Sequence, residues 1–242
     1  MKTALGSMTR TLVLVAGLLA TSAQASAQKA VTVAFDGPLP AVAAEYRVQV
    51  RDNHGKQTVD WRFWREAHRL VRENTAARTS EVWELDGQTL LHQKLWHDAR
   101  RGVEYQPTDL QLAGVPVNWQ RRALLVDPAL LASLKLVGEG SRGGVPFRRY
   151  RGDLEGSKWD ITLRTDLMLP TRIEHVQGKQ RELLALQKAW AQDMAPWKPV
   201  DASAYELIDF ADLGDREDDP FVRQIEEQVM PAAHARTHAH AH

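Results

Sequence analysis

The sequence contains no cysteine among its 242 residues. Disulfides, thiolate metal sites and c-type haem attachment are therefore excluded. The chain also has no excess charge of either sign, because 31 basic residues balance 31 acidic ones. Since nucleic-acid binding usually needs a basic face, this balance argues against a nucleic-acid partner. Without disulfides the fold must depend on its core, and a chain of this length can form one sizeable domain.

Long apolar runs are scarce, and the clearest one lies near the beginning of the chain. Thr11–Ala20 is shorter than the roughly 20 residues that cross a bilayer as a helix. It follows Lys2 and Arg10 and precedes the small residues around Ala25, as in a secretory signal peptide. The sequence therefore predicts a signal peptide over residues 1–25, with cleavage as late as 27, and a periplasmic protein without a transmembrane span in the mature chain.

Alternating apolar and polar residues occur throughout the rest of the chain. Two pairs of alternating segments predict β-hairpins: Glu45–Arg51 with Gln57–Arg65, and Thr79–Leu85 with Gln88–Trp96. A further meander is predicted over Val145–Val176. This period of two indicates antiparallel strands with one polar face and one apolar face. We expect a mainly β (α+β) fold, a strongly curved antiparallel half-barrel with one or two short helices on its concave side.

The predicted connections are less regular. Leu39–Ala44 can form a single helical turn, and Asp127-Pro128 is a typical helix start, with an N-cap followed by proline. His68–Glu73 is predicted as a strand with a helix as the alternative, and so is Gln180–Met194. The glycine-rich segment 138–144 is predicted to be a mobile loop.

The composition divides the mature chain into three parts. Residues 28–197 carry the strand pattern and form the predicted curved β domain. Residues 198–230 are an acidic extension that can add an edge strand and a short helix, and residues 231–242 are rich in histidine and alanine. The last segment is predicted to be flexible because it has almost no large apolar residues.

Histidines in the last segment are the candidate metal ligands: His234, His238, His240 and His242. Neutral imidazole binds Zn²⁺, Ni²⁺ or Cu²⁺. No carboxylate is fixed nearby to orient the rings, so incidental weak binding is the favoured interpretation. The acidic run from Asp209 to Asp219 lacks the ligand spacing of an EF-hand and is predicted to be a solvated loop.

Catalytic motifs are not found in the sequence. Ser141, Ser157 and Ser203 lie in predicted loops, and none has the G-x-S-x-G context of a nucleophile elbow. The glycine-rich segment 138–144 lacks the lysine of a phosphate-binding loop. We therefore expect a protein that is not an enzyme and that has no resident cofactor.

Eight tryptophans are many for this length, and most lie in predicted strands. Core packing is the simpler interpretation, since each indole buries a large apolar area. The functional alternative is an apolar groove for acyl chains. Its candidate residues are Trp61, Phe63, Trp83, Trp96, Trp159, Ile161 and Leu163. The arginine pairs, Arg121-Arg122 among them, could meet anionic head groups, but solvent-facing charges are the favoured interpretation.

Several of these features together resemble one family. The helix start at Asp127-Pro128, then Gly144-Val145-Pro146, Trp159-Asp160-Ile161 and the run 169–174 (LPTRIE), follow a signal peptide and successive strands. This order resembles the periplasmic half-barrel superfamily of the outer-membrane lipoprotein carrier and the lipoprotein-sensing sigma-factor regulator. The resemblance implies a curved sheet around a cavity for acyl chains. The carrier's long N-terminal helix is missing here, the acidic extension is foreign to the family, and no functional residue is carried over.

Three functions follow as hypotheses. The first is a non-enzymatic periplasmic protein that binds a lipid, a lipoprotein acyl chain or another apolar ligand on the curved sheet. The second is envelope metal binding by the histidine-rich tail. The third is an interaction or structural protein that binds another envelope component through the acidic extension or an open sheet edge.

Overall fold

A computed structural model describes residues 38–112, 114–115 and 117–229, and side chains up to residue 225. The predicted signal peptide and the histidine-rich tail lie outside these residues. The strands are β1 (Val42–Asp52), β2 (Gly55–Arg65), β3 (Arg69–Asn74), β4 (Thr79–Asp86), β5 (Thr89–Trp96), β6 (Arg101–Tyr105), β7 (Lys135–Arg142), β8 (Val145–Leu154), β9 (Ser157–Arg164), β10 (Leu169–Gln177), β11 (Gln180–Trp190) and β12 (Glu206–Asp209). The α-helices are α1 (Pro107–Leu112), α2 (Trp119–Leu124), α3 (Pro128–Ser133) and α4 (Pro220–Val229).

The described strands form one curved, unclosed sheet of two meanders. Its order is β12-β6-β5-β4-β3-β2-β1-β11-β10-β9-β8-β7. The first meander runs from β1 to β6 and the second from β7 to β11, and the two join where β1 pairs antiparallel with β11. Only β12 is parallel to its neighbour, β6, among these strands. The predicted fold class, a mainly β half-barrel, is confirmed.

One face of the sheet, the inner face, carries the main core. Register places Tyr46 opposite Trp61 on β2 and Leu186 on β11, so side chains of the two meanders share this face. All the described strands except β7 contribute to one continuous apolar cluster, together with helical residues such as Leu110, Leu124 and Leu131. Because distant strands meet in the same cluster, the sheet has to curve around it. A smaller cluster on the outer face includes Trp64, Val71 and Val82.

The segment between β6 and β7, which we call the cover, lies over the inner face and contains three short helices. Each helix has six residues, which is too short for stability in isolation, so burial of its apolar side chains must hold it. Asn118 caps α2 by accepting from the amide of Arg121, and Asp127 caps α3 by accepting from the amide of Ala129. Gly152 lets this segment approach β8, since a Cβ there would lie 2.8 Å from Leu134 Cδ2.

Arg65 joins the sheet, the cover and a distant turn. Its side chain is fully buried and points into the inner face at the end of β2. The guanidinium donates to the carbonyl oxygens of Pro40 (3.0 Å), Ala123 (2.7 Å), Met168 (3.1 Å) and Leu167 (2.5 Å). Burial lowers the pKa of Arg65 to about 10, and four carbonyl dipoles satisfy the charge that burial removes from water.

The C-terminal described segment also packs on the sheet. β12 extends the edge next to β6, a 3-10 helix (Phe210–Arg216) follows, and α4 comes next. Ile208, Phe221 and Ile225 are nearly completely buried in the main core. No helix within the described part of the chain is long and apolar enough to cross a bilayer.

Several local predictions are wrong. Residues 39–44 do not form a helical turn; β1 starts at Val42, because its side chain and that of Ala44 fit the inner core of the sheet. The glycine-rich segment 138–144 is not a loop but the end of β7 and its hairpin turn, since pairing with β8 satisfies its backbone. The helix at Asp127-Pro128 is confirmed, although it ends at Ser133, and three helices rather than one or two cover the sheet.

Candidate functional site

The seven candidate residues of the predicted apolar face all lie on the inner face. Register aligns Trp61 with Tyr46, Trp83 with Leu70, and Ile161 with Ile173. Six of them are at most 8% exposed, and Trp159 is partly buried against the same cluster. The structure therefore brings the seven residues onto one surface, while binding of a ligand by them stays a prediction.

The second meander has an apolar inner face and a charged outer face. Apart from Ser157, the buried inner side chains of β8 to β10 are apolar or aromatic: Tyr150, Ile161, Leu163, Leu169 and Ile173. On the outer face, Asp160 accepts from Arg149 and Arg151, and Glu174 pairs with Arg172 and Arg181. This half of the sheet is therefore strongly amphipathic.

Polar groups enter the inner face of this half near the hairpin turns. The ring of His175 stacks on Trp159 at 4.1 Å between centroids, and its Nδ1 lies 3.9 Å from a carboxylate oxygen of Glu182. Burial lowers the pKa of His175 in spite of Glu182, so the imidazole is neutral near pH 7. A neutral ring between an indole and a carboxylate packs like an aromatic side chain.

The first meander has charged residues inside. We call Arg72, Glu81, His92, Lys94 and Arg122 the inner polar cluster. Glu81 on β4 pairs with Arg72 on the neighbouring strand, and their side chains are only 24% and 19% exposed. Arg122 reaches the cluster from helix α2, where its guanidinium lies 3.9 Å from the ring centroid of Trp83.

Aromatic rings enclose the histidine of this cluster. His92 stacks on Trp83 at 3.9 Å and on Tyr105 at 5.0 Å, and Tyr105 in turn stacks on Phe210 at 4.9 Å. His92 is 8% exposed, and neither of its ring nitrogens has a hydrogen-bond partner in the structure. The ring therefore occupies an aromatic slot although it is a polar side chain.

Electrostatics fix the charge states in the cluster. Burial alone would raise the pKa of Glu81, but the positive charges around it, that of Arg72 first, lower the pKa to about 2. Burial lowers the pKa of His92 to about 3, and Arg122 adds to this effect while Glu81 opposes it. Burial likewise lowers the pKa of Arg122 to about 10. Near pH 7 Glu81 is therefore a carboxylate, Arg122 is a guanidinium cation and His92 is a neutral imidazole.

Sequence reasoning missed this cluster, although the signal was present. Glu81 stands two residues before Trp83, and Lys94 stands two residues before Trp96, so period-two alternation puts each charge on the face of its tryptophan. Arg122 was interpreted as solvent-facing, which is wrong, because α2 lies over the inner face. Its position depends on the path of the cover, and no local pattern reports that path.

One serine and one histidine are in contact. Ser80 Oγ lies 2.7 Å from His97 Nε2, and His97 Nδ1 lies 3.3 Å from the hydroxyl of Tyr205. Ser80 is 4% exposed and His97 is 7% exposed, so a substrate cannot reach the hydroxyl. We interpret this pair as a structural hydrogen bond between β4 and the turn that follows β5.

The predicted metal ligands lie outside the part of the chain that the structure describes. No group of three or more histidine or acidic side chains that could hold a metal occurs in residues 38–112, 114–115 and 117–225, whose side chains the structure describes. In the acidic run, Asp209 caps the 3-10 helix and Asp219 accepts two bonds from Arg101. The histidine tail lies outside the described residues, so metal binding there stays a prediction, as does an envelope partner.

No protein-family model matches the chain, and no curated protein does. Among solved structures, one of PNGF-II is similar to this chain, with 8% sequence identity and a TM-score of 0.38. The alignment covers 70% of this chain and 31% of the PNGF-II chain, so this chain spans about a third of the length of PNGF-II. A DUF1329 family protein from Desulfovibrio piger has 9% identity and a TM-score of 0.34, and the alignment covers 69% of this chain and 92% of that chain. A LolA superfamily protein from Nitrosomonas europaea has 8% identity and a TM-score of 0.33, and the alignment covers 66% of this chain and 89% of that chain.

The LolA superfamily is the half-barrel superfamily that the sequence pattern resembles. Identities below a tenth and these TM-scores carry no argument about what the chain binds. The case for a function therefore rests on the geometry of the inner face.

Proposed function

We propose that this chain is a non-enzymatic periplasmic binding protein that holds a lipid, a lipoprotein acyl chain or a similar apolar ligand on the inner face of its curved sheet. The observation that carries the proposal is the strong amphipathicity of the second meander. Its inner face is apolar across several strands, and its outer face is a ladder of ion pairs.

The cover over this surface suits a binding protein. It consists of three helices of six residues each instead of a second sheet or a long helix. The covering segment and the following strand β7 leave four large apolar side chains exposed, namely Leu112, Val117, Leu136 and Val137. An acyl chain between cover and sheet gains about 25 cal/mol for each Å² of apolar area removed from water.

Partly buried apolar residues along the inner face give the ligand its first contacts. Trp159, Met168 and Leu186 pack against the main core without being fully buried. Their side chains can rearrange around an alkyl chain at small cost, because they are not locked on all sides.

Export is proposed from the sequence pattern of residues 1–25. N-terminal sequencing of the protein from a periplasmic fraction should begin at Ser26 or Gln28. Retention of Met1 in the isolated protein would contradict export by a cleaved signal.

Binding is tested with the purified mature chain. Organic extracts analysed by mass spectrometry should contain lipid, and a fluorescent fatty acid should bind. Leu186→Gln on the inner face should weaken binding about tenfold, since a bound alkyl chain would remove the amide from water without offering it a hydrogen-bond partner.

Leu183→Gln is the matched control, because Leu183 is a partly buried leucine of the same strand that faces outward. Its affinity for the fatty acid should stay unchanged. Extracts free of lipid, together with no binding of the fluorescent fatty acid, would contradict the proposal.

A further inference from the structure

We propose that the C-terminal segment from β12 to α4, residues 206–229, is a stop that limits the length of the apolar ligand. The inference rests on the proposed function, which places the ligand on the inner face. It adds the side chain that decides which alkyl chain lengths fit, that of Phe221 on α4.

The C-terminal segment fills part of the inner face. Its side chains Ile208, Phe221 and Ile225 are at most 7% exposed and belong to the main core. The ring of Phe221 meets that of Trp96 on β5 edge to face, with 5.4 Å between the ring centroids. Trp96 is one of the seven candidate residues of the apolar face. A phenylalanine of the chain itself therefore already occupies this end of the predicted ligand surface.

Trp96 is also the end of a row of inner side chains that crosses the sheet. Register aligns six residues on successive strands from β11 to β5: Leu186, Tyr46, Trp61, Asn74, Thr79 and Trp96. Tyr46 and Trp61 are stacked within this row, with 4.9 Å between their ring centroids. An alkyl chain that starts beside Leu186 and follows the row into the first meander therefore ends at Trp96, where the ring of Phe221 stands in its way.

Polar contacts fix the start of α4 at this place. Asp219 accepts two hydrogen bonds from Arg101 on β6, at 2.8 and 2.6 Å, and it also accepts from the amide of Phe221 at 2.8 Å. The Arg101 guanidinium lies 4.6 Å from the centroid of the Phe221 ring. Since a bidentate pair of arginine and carboxylate holds both partners in a defined geometry, Phe221 is anchored to β6. A length limit requires such an anchor, because a mobile side chain would make room for any ligand.

The experiment titrates the full mature chain with saturated fatty acids from decanoate to eicosanoate. Affinity should rise about fourfold with each added methylene that is buried, up to the length at which the methyl end of the fatty acid reaches Phe221. Phe221→Ala should move this limit to a fatty acid longer by about two methylenes or more, because it removes the ring and leaves a cavity. Phe221→Trp should move the limit to a shorter fatty acid, because the indole is larger.

Phe147→Ala is the matched control, since Phe147 on β8 is a partly buried phenylalanine that is aligned with Arg164 on the outer face. It should keep the limit of the unaltered chain. Phe221→Leu replaces the ring with a smaller apolar side chain, and it should shift the limit to longer fatty acids if Phe221→Ala does not fold.

The outcomes separate the two proposals. An affinity that rises through the whole series in the unaltered chain, or a limit that is the same in every Phe221 variant, overturns the stop and leaves the proposed function intact. An equal gain in affinity for all fatty acids in Phe221→Ala also overturns it, because the segment then competes with the ligand instead of limiting its length. No binding of any fatty acid overturns the proposed function and this inference with it.

Discussion

The two meanders use the same strand pattern to build different interiors. On β3 to β5, the inner face carries Arg72, Glu81 and Lys94 among its aromatic rings. On β8 to β10, the corresponding positions carry Ile161, Leu163 and Ile173. The outer faces differ in the opposite sense, because Val71 and Val82 lie outside the first meander, whereas the second has the Asp160 and Glu174 ion pairs there.

The difference is explained by what covers each half. Helix α2 places Arg122 over Trp83, so charged residues of the first meander meet partners on the cover. In the second meander the cover contributes Leu131 and Leu134, which offer only apolar contacts. Charged pairs are therefore tolerated deep inside the first meander, whereas the inner polar groups of the second meander, His175 and Glu182, lie near its hairpin turns, as expected when buried charges need partners.

The largest loss of stability is expected from changing Arg65, which links the two meanders. Arg65→Met leaves four buried carbonyl oxygens without their donor and should lower the free energy of unfolding by about 4 kcal/mol. Urea denaturation measures the loss. Arg47→Met, which removes a surface ion pair with Asp60, should cost less than about 1 kcal/mol. Equal losses would show that Arg65 does not join the halves.

Packing should dominate in the second meander. Ile161 is completely buried, so Ile161→Ala should lower the free energy of unfolding by about 3 kcal/mol through lost transfer energy and a cavity. The same denaturation experiment on Thr162→Ala, a half-buried outward-facing neighbour, should show less than about 1 kcal/mol. A small loss for Ile161→Ala would mean that this half is not tightly packed.

Acid sensitivity should come from the first meander. The pKa of His92 falls from 6.5 to about 3 on folding. Between these values the unfolded chain binds a proton that the folded chain does not, so stability is full above pH 6.5 and falls as the pH falls toward 3. At about pH 5 the loss should be about 2 kcal/mol.

His92→Phe keeps the aromatic stack and should remove this loss when urea curves at about pH 7 and about pH 5 are compared. His54→Phe, in the exposed turn after β1, should retain it. An unchanged pH dependence in His92→Phe would place the titrating group elsewhere.

The smallest effect is expected on the outer face of the second meander. Asp160→Asn removes the anion shared by Arg149 and Arg151 and should cost about 1 kcal/mol. The cost should shrink in about 1 M NaCl, because salt screens partly exposed charges. A salt-independent cost would show that this ladder is held by packing instead of charge.

Much of the fold could be predicted from local patterns. Alternation identified most of the strands and which of their residues share a face, and Asp127-Pro128 marked the start of α3. The cover could not be predicted in the same way, because α1 and α2 are six-residue helices without a strong apolar period. The strand at 138–142 was missed because its glycines are stabilised by pairing with β8, which is a nonlocal contact.

The sequence by itself determined the period of two and therefore which residues share a face, because side chains alternate on any extended strand. It also fixed the absence of disulfides. Only the tertiary structure decided which face was inside, that β1 pairs with β11, and that Arg122 lies over the ring of Trp83. These outcomes depend on contacts between residues far apart in the chain, where burial and charge compensation outweigh local preference.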